Sequence, residues 1–428
     1  IERDAAKRLR LLKELVDKYP DDSKAHAELG EYYSNYGPYQ EAVSEYEKAV
    51  GIDPRFGYAI NQLGYEYARK ENFAKAVQCF ERYAELNPGL PNPIDSIAEM
   101  NIFMANLDEA VAKYRAVLTM RPDFYQSCVG LAYAYALKED YAETEHWLEE
   151  FVKKAPTPQT KSEGIALRNF YDCLLGRLDR SLAGYLSSLE QLEKFQMDSI
   201  IPYTNLHMGF VYIDRGEVDK ARKALQIWMD YEEKNYPAYL NYNKAYYRFV
   251  LGLIELKQGR LEAAKACLTE FEALLPKLED PTDKEEFALY HWLLEAEAAL
   301  AGNSIEQAVS IGEKIEFLGL RGVNIGYMLA YNLPFQKDVL ARAYWKKGDL
   351  DKAIAEYEQL TTIDPKNRLR MLISPLYHYR FGRVLEEKGE KDRARLEYEK
   401  FLKYWADADP RFVELKDARS RLAGLKGS

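Results

Sequence analysis

The chain has 428 residues, 47% of them hydrophobic and 13% aromatic, and a formal net charge of −10 at pH 7. An acidic chain repels the nucleic-acid backbone and no apolar run reaches about 18 residues, so we expect neither a nucleic-acid surface as the main role nor a membrane span. Residues 361–428 hold 16 Lys/Arg against 11 Asp/Glu, whereas residues 1–360 hold 43 against 58, a distribution that suits protein partners or head-to-tail self-contact.

The first predicted element is an amphipathic helix over residues 3–19, which ends at Pro20. It is charged throughout and does not resemble a signal peptide. Its pattern is that of the second helix of a helix pair, without the first helix, and the first residue is Ile1 rather than Met. We therefore expect residues 1–22 to be an N-terminal half repeat and the chain to be a fragment of a longer protein.

Residues 23–156 repeat with a period of 34 residues. Prolines close the successive units: Pro20, Pro54, Pro88, Pro122 and Pro156. The eighth position of each unit is small: Gly30, Gly64, Ala98 and Ala132. The twenty-fourth position is aromatic in three units: Tyr46, Phe80 and Tyr114. Because residues three and four apart share one helix face, each unit is predicted to be a helix pair that crosses closely at the small residue.

A 34-residue period with these features is the signature of the tetratricopeptide repeat (TPR), and the chain resembles a TPR protein over nearly its whole length. The resemblance implies an all-α fold, a right-handed α-solenoid superhelix, in which the first helices of the pairs line a concave groove. We expect the helix pairs to wind into a spring-like coil rather than a closed globule.

After Pro156 the period loosens, but the pattern of helix pairs persists. We predict the following segments: four regular repeats in 23–156, four longer and degenerate pairs in 157–333, two C-terminal repeats in 334–410, and a capping helix with a tail in 411–428. The total is about ten TPR-like helix pairs. The stretch 319–334 has three glycines and a proline, and it is either a long connection or a functional insertion.

The sequence contains no known catalytic signature. P-loop, GxGxxG, HExxH and GxSxG motifs are all missing, so we expect no enzymatic activity and no cofactor. His26 and His378 both occupy an inward packing position. His146 and His291 each precede a glutamate by four residues, but two ligands make a poor metal site and we expect no metal. The cysteines form no CxxC pair and are expected to be small hydrophobic residues in a reducing, cytoplasmic compartment: Cys79, Cys128, Cys173 and Cys267.

The 34 tyrosines fall mainly at the packing positions of the repeat, which favours a structural role over a ligand cage or base stacking. A second set of positions, next to the packing stripe of each first helix, would face the groove. These candidate partner-binding residues are Tyr58, Asn61, Tyr65, Arg69, Asp95, Glu99, Phe103, Tyr133, Arg342, Trp345, Tyr379 and Arg383. An aromatic, partly acidic front and a back rich in Arg and Trp could grip an extended or helical segment.

The repeats resemble TPR arrays of bacterial multidomain regulators, in which a Ser/Thr kinase, a cyclase or a winged-helix domain often precedes the repeats. This resemblance favours a non-catalytic scaffold or signalling sensor module that binds a protein segment in its groove. The TPR subgroup that clasps a C-terminal carboxylate has Lys and Asn where this chain has Ala27 and Glu31, so that activity is not expected. The alternatives are a structural protein that assembles end to end and an enzyme with an unrecognised site.

Overall fold

The computed structural model of the chain describes residues 2–37, 39–315, 337–362 and 372–426. The stretch 319–334, which the sequence singled out, lies outside the described residues. The described chain forms two compact units, the first ending at Lys154 and the second starting at Ala155. No β-strand occurs in the parts that the structure describes, and the prediction of an all-α fold is confirmed.

The described residues of the first unit form nine helices. They are α1 (Glu2–Lys18), α2 (Ser23–Tyr36), α3 (Tyr39–Ile52), α4 (Gly57–Arg69), α5 (Phe73–Leu86), α6 (Pro91–Phe103), α7 (Leu107–Met120), α8 (Gln126–Leu137) and α9 (Tyr141–Lys154). After α1, consecutive helices pack as pairs, and each pair also contacts the next one. This nearest-neighbour packing is the arrangement of a solenoid, in which no single core has to grow.

The second unit continues the pairing with longer and less regular helices. They are α10 (Pro158–Leu174), α11 (Leu178–Lys194), α12 (Ile201–Arg215), α13 (Val218–Asn235), α14 (Leu240–Lys257), α15 (Leu261–Glu272), α16 (Pro281–Ala301), α17 (Ile305–Gly312), α18 (Val339–Lys347), α19 (Leu350–Thr361), α20 (Pro375–Lys388), α21 (Lys391–Tyr404) and α22 (Val413–Lys426). Across both units the described helices make ten pairs, with α1 before them and α22 after them.

Local sequence explains where several helices begin. The carboxylate of Asp22 accepts hydrogen bonds from the backbone N–H groups of Lys24 at 2.9 Å and Ala25 at 3.3 Å, so it caps α2. The hydroxyl of Thr157 caps α10 in the same way, 3.1 Å from the N–H of Thr160. These caps satisfy backbone donors that a helix cannot bond internally. They place the starts of α2 and α10 at boundaries between repeats.

The small eighth positions allow the two helices of a pair to approach closely. A Cβ atom added at Gly64 would lie 2.7 Å from the ring of Phe80, and one added at Gly30 would lie 3.1 Å from Tyr46. The Phe80 side chain is 0% exposed and Tyr46 is 1% exposed, so neither ring has room to withdraw. The repeat therefore depends on a missing side chain at one position and a large ring at the other.

Replacing Gly64 with valine is expected to lower the free energy of unfolding by about 1–3 kcal/mol, because the new side chain overlaps the buried ring of Phe80. Gly51 is the matched control, since it also lies in a helix but has nothing within 4 Å of its added Cβ. Urea denaturation of both variants measures the difference. Equal unfolding midpoints would contradict the close-crossing account.

The second unit closes on itself through a contact that the sequence did not predict. The backbone N–H of Asp409 donates to the carbonyl oxygen of Gly176 at 2.9 Å, and the indole N–H of Trp405 donates to the carbonyl oxygen of Leu174 at 3.1 Å. The carboxylate of Asp409 accepts from the backbone N–H of Asp179 at 2.9 Å. Residues 405–412, just before α22, therefore return to the α10–α11 turn about 230 positions earlier, which is a contact that a repeat period cannot encode.

Candidate protein-binding surfaces

In the first unit, the candidate side chains of α4 connect neighbouring first helices. The hydroxyl of Tyr58 donates to Glu31 on α2 at 3.0 Å, and Arg69 donates to the carbonyl oxygen of Ser34, also on α2, at 3.0 Å. The Tyr65 hydroxyl lies 2.7 Å from the hydroxyl of Ser96 on α6. These polar contacts hold the spacing between successive repeats, so this face is bonded together before any partner binds.

The half-buried amide of Asn61 belongs to the same face of α4. Its side-chain oxygen has no hydrogen-bond partner among the described residues. A buried amide oxygen normally finds a donor, and a bound polypeptide could supply one.

Two candidate carboxyl groups on α6 are strongly desolvated. Burial raises the pKa of Asp95 to about 6, although the Ser127 hydroxyl donates to it. Burial and the nearby charge of Asp95 raise the pKa of Glu99 well above its usual range. Desolvation favours the neutral form of a carboxylic acid, so this part of the surface can carry less negative charge than the sequence alone implies.

The structure corrects the expected exposure of Phe103 and Tyr133. Both side chains are buried, with 1% and 0% exposure respectively. Phe103 packs against Phe73 with their ring centroids 5.6 Å apart. Tyr133 lies on α8, a helix of small and apolar residues that is buried over most of its circumference, so the position next to the packing stripe is itself packed.

In the second unit, Arg342 belongs to a buried ionic network. Its Nη1 donates to Glu297 at 3.2 Å and its Nε donates to Asp338 at 3.0 Å. Asp338 is 0% exposed and also accepts from Arg380 at 2.6 Å and from the Tyr357 hydroxyl at 3.1 Å. Burial alone would raise the pKa of Asp338, but the charges of Arg380 and Arg342 lower it to about 2. The network joins α16, α18, α19 and α20.

The other three candidates of this unit contact one another. The indole N–H of Trp345 donates to Glu387 at 2.7 Å, and the Arg383 guanidinium lies over the Trp345 ring at 5.2 Å. Arg383 also donates to the Tyr379 hydroxyl at 3.2 Å, and that hydroxyl donates to Asp417 at 2.8 Å. Positions that are far apart in sequence therefore form one chain of contacts across α18, α20 and α22, in which Tyr379 is itself buried at 8% exposure.

A cavity of about 860 Å³ lies within the second unit, and Arg342 and Trp345 line it. Leucines of α14, α16 and α20 supply apolar surface, and the ring of Phe412 completes one wall. Its basic side chains are Lys257, Arg342, Lys346 and Arg380. Sequence reasoning missed Arg380 and Phe412, because Arg380 is not at a groove position of the repeat and Phe412 lies in the returning segment before α22.

Three histidines and the four cysteines have surroundings that indicate a structural role. Nδ1 of His26 lies 2.6 Å from Glu45, and Nδ1 of His378 lies 2.6 Å from Glu397, so two repeats use the same buried pair. Nε2 of His291 contacts Glu272 at 2.9 Å. No group of three metal-ligating side chains occurs in the part of the chain that the structure describes. Burial raises the pKa of all four cysteine thiols, for example that of the fully buried Cys128 to about 12.

None of the described helices combines the length and the apolar character that crossing a membrane requires.

A family profile described as tetratricopeptide repeat matches residues 23–56, 58–89 and 339–367, and a second profile with that description matches residues 103–157. These matches fall in the regular repeats of the first unit and in α18 and α19 of the second.

Two curated proteins show partial similarity. Superkiller complex protein 3 of Mus musculus is 25% identical over 108 residues, which cover 25% of this chain and 7% of that protein. Anaphase-promoting complex subunit 6 of Arabidopsis thaliana is 29% identical over 151 residues, which cover 35% of this chain and 27% of that protein. The chain therefore spans a minor part of the length of these relatives.

Among solved structures, a crystal structure of MamA is 20% identical with a TM-score of 0.33, and the match covers 36% of this chain and 90% of that one. The assignment of the repeats depends instead on the matched profiles and on the described helix pairs, several of which cross closely at a glycine. On these grounds the chain contains tetratricopeptide repeats in both of its units.

Proposed function

We propose that this TPR protein is a non-catalytic scaffold or sensor module that binds a segment of a partner protein on the inner surface of its second unit. The observation that supports this proposal is the cavity lined by Arg342 and Trp345. Its volume, about 860 Å³, lies in the range of specific ligand sites and suits a few residues of an inserted segment.

The chemistry of the cavity favours an apolar anchor on the partner segment. Two of its basic side chains are already in ion pairs, since Arg342 binds Glu297 and Lys257 lies 2.5 Å from Asp214. The indole of Trp345 and the adjoining leucines supply the apolar surface that a partner side chain could contact. Aromatic and arginine side chains in desolvated pockets dominate the binding energy of many protein interfaces.

The test uses peptides selected from a random-sequence library for binding to the intact chain. The change Trp345→Ala is expected to weaken the selected peptides by at least about tenfold, because truncating an interface hot spot costs more than about 1.4 kcal/mol. Titration calorimetry on both proteins measures the two dissociation constants.

Trp147→Ala is the matched control. Trp147 is also half-buried, donates its indole N–H to a glutamate (Glu143, 3.1 Å) and lies beneath an arginine (Arg115, 5.7 Å), but it belongs to the second helix of a pair in the first unit. Peptides that bind both variants as tightly as the unmodified chain would refute the placement of the site. Thermal unfolding of each variant shows whether a loss of binding reflects a loss of fold.

A further inference from the structure

A second cavity, of about 500 Å³, lies in the second unit and shares no lining residue with the first. It is bounded by the first turns of α12, α14 and α16 and by the last turns of α13. A single 3₁₀ turn, Pro237–Tyr239, separates α13 from α14 at this point. Aromatic side chains form much of its wall: Tyr203, Tyr236, Tyr239 and Tyr242.

Tyr242 packs against Phe287 with the ring centroids 4.8 Å apart, but repeat packing does not account for the other three rings. Tyrosines at the packing positions, such as Tyr46 and Tyr398, are 1% and 0% exposed. In contrast, Tyr239 is 61% exposed, Tyr236 is 40% exposed and Tyr203 is 39% exposed. Large rings that stay in water around one cavity are typical of a binding surface rather than of a core.

A buried carboxylate lies in the wall between the rings. Glu232 is 5% exposed, and its Oε2 accepts a hydrogen bond from the side-chain amide of Asn243 at 2.7 Å. The Tyr203 hydroxyl also interacts with this carboxylate, although no hydrogen bond of normal length and angle reaches the buried Oε1 from the described residues. Burying a carboxylate oxygen unsatisfied is unfavourable, so a cationic donor in the cavity would relieve it.

The electrostatic surroundings of the rings are negative. Burial and the adjacent Glu232 raise the pKa of Tyr203 above its usual range. Burial raises the pKa of Tyr242, and the charges of Glu286 and Asp283 add to the effect. Asp283 itself lines the cavity. The charged groups that most affect the pKa values of Tyr203 and Tyr242 are therefore carboxylates, not lysine or arginine.

We propose that this cavity is an aromatic cage for an alkylammonium group, held by the faces of the four tyrosines and by the carboxylate of Glu232. The tyrosine rings attract a cation through their quadrupoles, and the attraction strengthens when the cation is desolvated. The carboxylate supplies the counter-charge inside the cavity. The ammonium group belongs either to a free quaternary amine or to a lysine side chain, methylated or not, of a partner protein.

The direct test titrates the intact chain with tetramethylammonium and with choline, followed by titration calorimetry. Choline is expected to bind at least about tenfold more tightly than its neutral analogue, in which carbon replaces the nitrogen, because only the cation gains from the rings and the carboxylate. Equal binding of choline and the neutral analogue, or no binding of either cation, would overturn the proposal.

Two variants locate the site. Glu232→Gln removes the charge but keeps the shape, and Tyr239→Ala removes an exposed ring that no core contact needs; each is expected to weaken choline binding by about tenfold or more. The control is Tyr36→Ala, because Tyr36 is 63% exposed but belongs to the first unit. Unchanged affinity in Tyr239→Ala, or an equal loss in Tyr36→Ala, would refute the assignment even if Glu232→Gln failed to fold.

A peptide with one trimethyllysine distinguishes the two sources of the ammonium group. If it binds much more tightly than choline, the natural ligand is a protein side chain, and if choline binds equally well, the ligand is a small amine. Both results agree with the cage. Neither depends on the inner cavity, so the change Trp345→Ala is expected to leave choline binding unaltered.

Discussion

Replacing Asp338 with asparagine is expected to lower the free energy of unfolding by about 3–5 kcal/mol, the range found when one partner of a buried ion pair is removed. Asp338 is 0% exposed and accepts hydrogen bonds from Arg342 at 3.0 Å and Arg380 at 2.6 Å. The neutral amide leaves two guanidinium groups facing each other without the charge between them. Urea denaturation followed by tryptophan fluorescence measures the effect, since four of the five tryptophans belong to the second unit.

The control for this substitution is Asp351→Asn in the same unit. Asp351 is 79% exposed and lies 2.8 Å from Lys388, so water already screens the pair. We expect no measurable change in its unfolding midpoint. If Asp338→Asn unfolds at the same urea concentration as Asp351→Asn, the buried network does not stabilise the unit.

The contribution of Asp338 should also depend on pH. Its carboxyl has a pKa of about 2 in the folded chain, whereas an unfolded aspartate titrates near about 3.9. Because the folded pKa is the lower one, the stabilisation is fully present above about pH 4 and is lost as the pH falls towards about 2. The difference in stability between the unmodified chain and Asp338→Asn should therefore shrink over this interval.

Sequence reasoning succeeded where one local rule determines the packing. The prolines and small residues of residues 23–156 predicted helix pairs, and the structure has α2 starting at Ser23 and Gly64 directly against Phe80. Residues within one unit are neighbours in sequence, so their spacing carries the information. Arg342 and Trp345, both predicted groove positions of α18, line the same cavity, and their role in partner binding stays a prediction.

Sequence reasoning failed where the structure depends on contacts between residues that are far apart in sequence or outside the regular repeats. The closure of the second unit joins Asp409 to Gly176, and no period relates the two. Phe103 and Tyr133 occupy groove positions by spacing alone but are buried. The tyrosines of the proposed cage were counted with the packing tyrosines, although Tyr236 and Tyr239 lie outside the helices of the pairs. That departure from the repeat was the available signal.

The contact that closes the second unit is expected to contribute strongly to its stability. Trp405→Ala is expected to lower the free energy of unfolding by about 3–5 kcal/mol, the usual effect of removing a buried tryptophan. Trp405 is 3% exposed, and the centroids of its ring and of the Phe412 ring are 4.5 Å apart. The change therefore leaves a void where the returning segment packs. The indole also loses its hydrogen bond to the carbonyl oxygen of Leu174, which is 3.1 Å long.

The local consequence can be measured separately from global stability. The N–H of Asp409 donates to Gly176, so its hydrogen exchange reports the closure directly. We expect this exchange to accelerate in Trp405→Ala under native conditions. Unchanged exchange at Asp409 would show that the closure does not depend on Trp405.

A glycine pair distinguishes crowding at the closure from backbone strain. Gly176 has φ +71°, and an added Cβ would lie 2.9 Å from Ala408, whereas Gly259 has φ +69° and nothing within 4 Å. Valine imposes similar left-handed strain at both positions, about 1–2 kcal/mol, but only at Gly176 does it also push the returning segment away. Gly176→Val should therefore accelerate exchange at Asp409, and Gly259→Val should not. Equal exchange in the two variants would mean that the close contact at Gly176 does not hold the second unit closed.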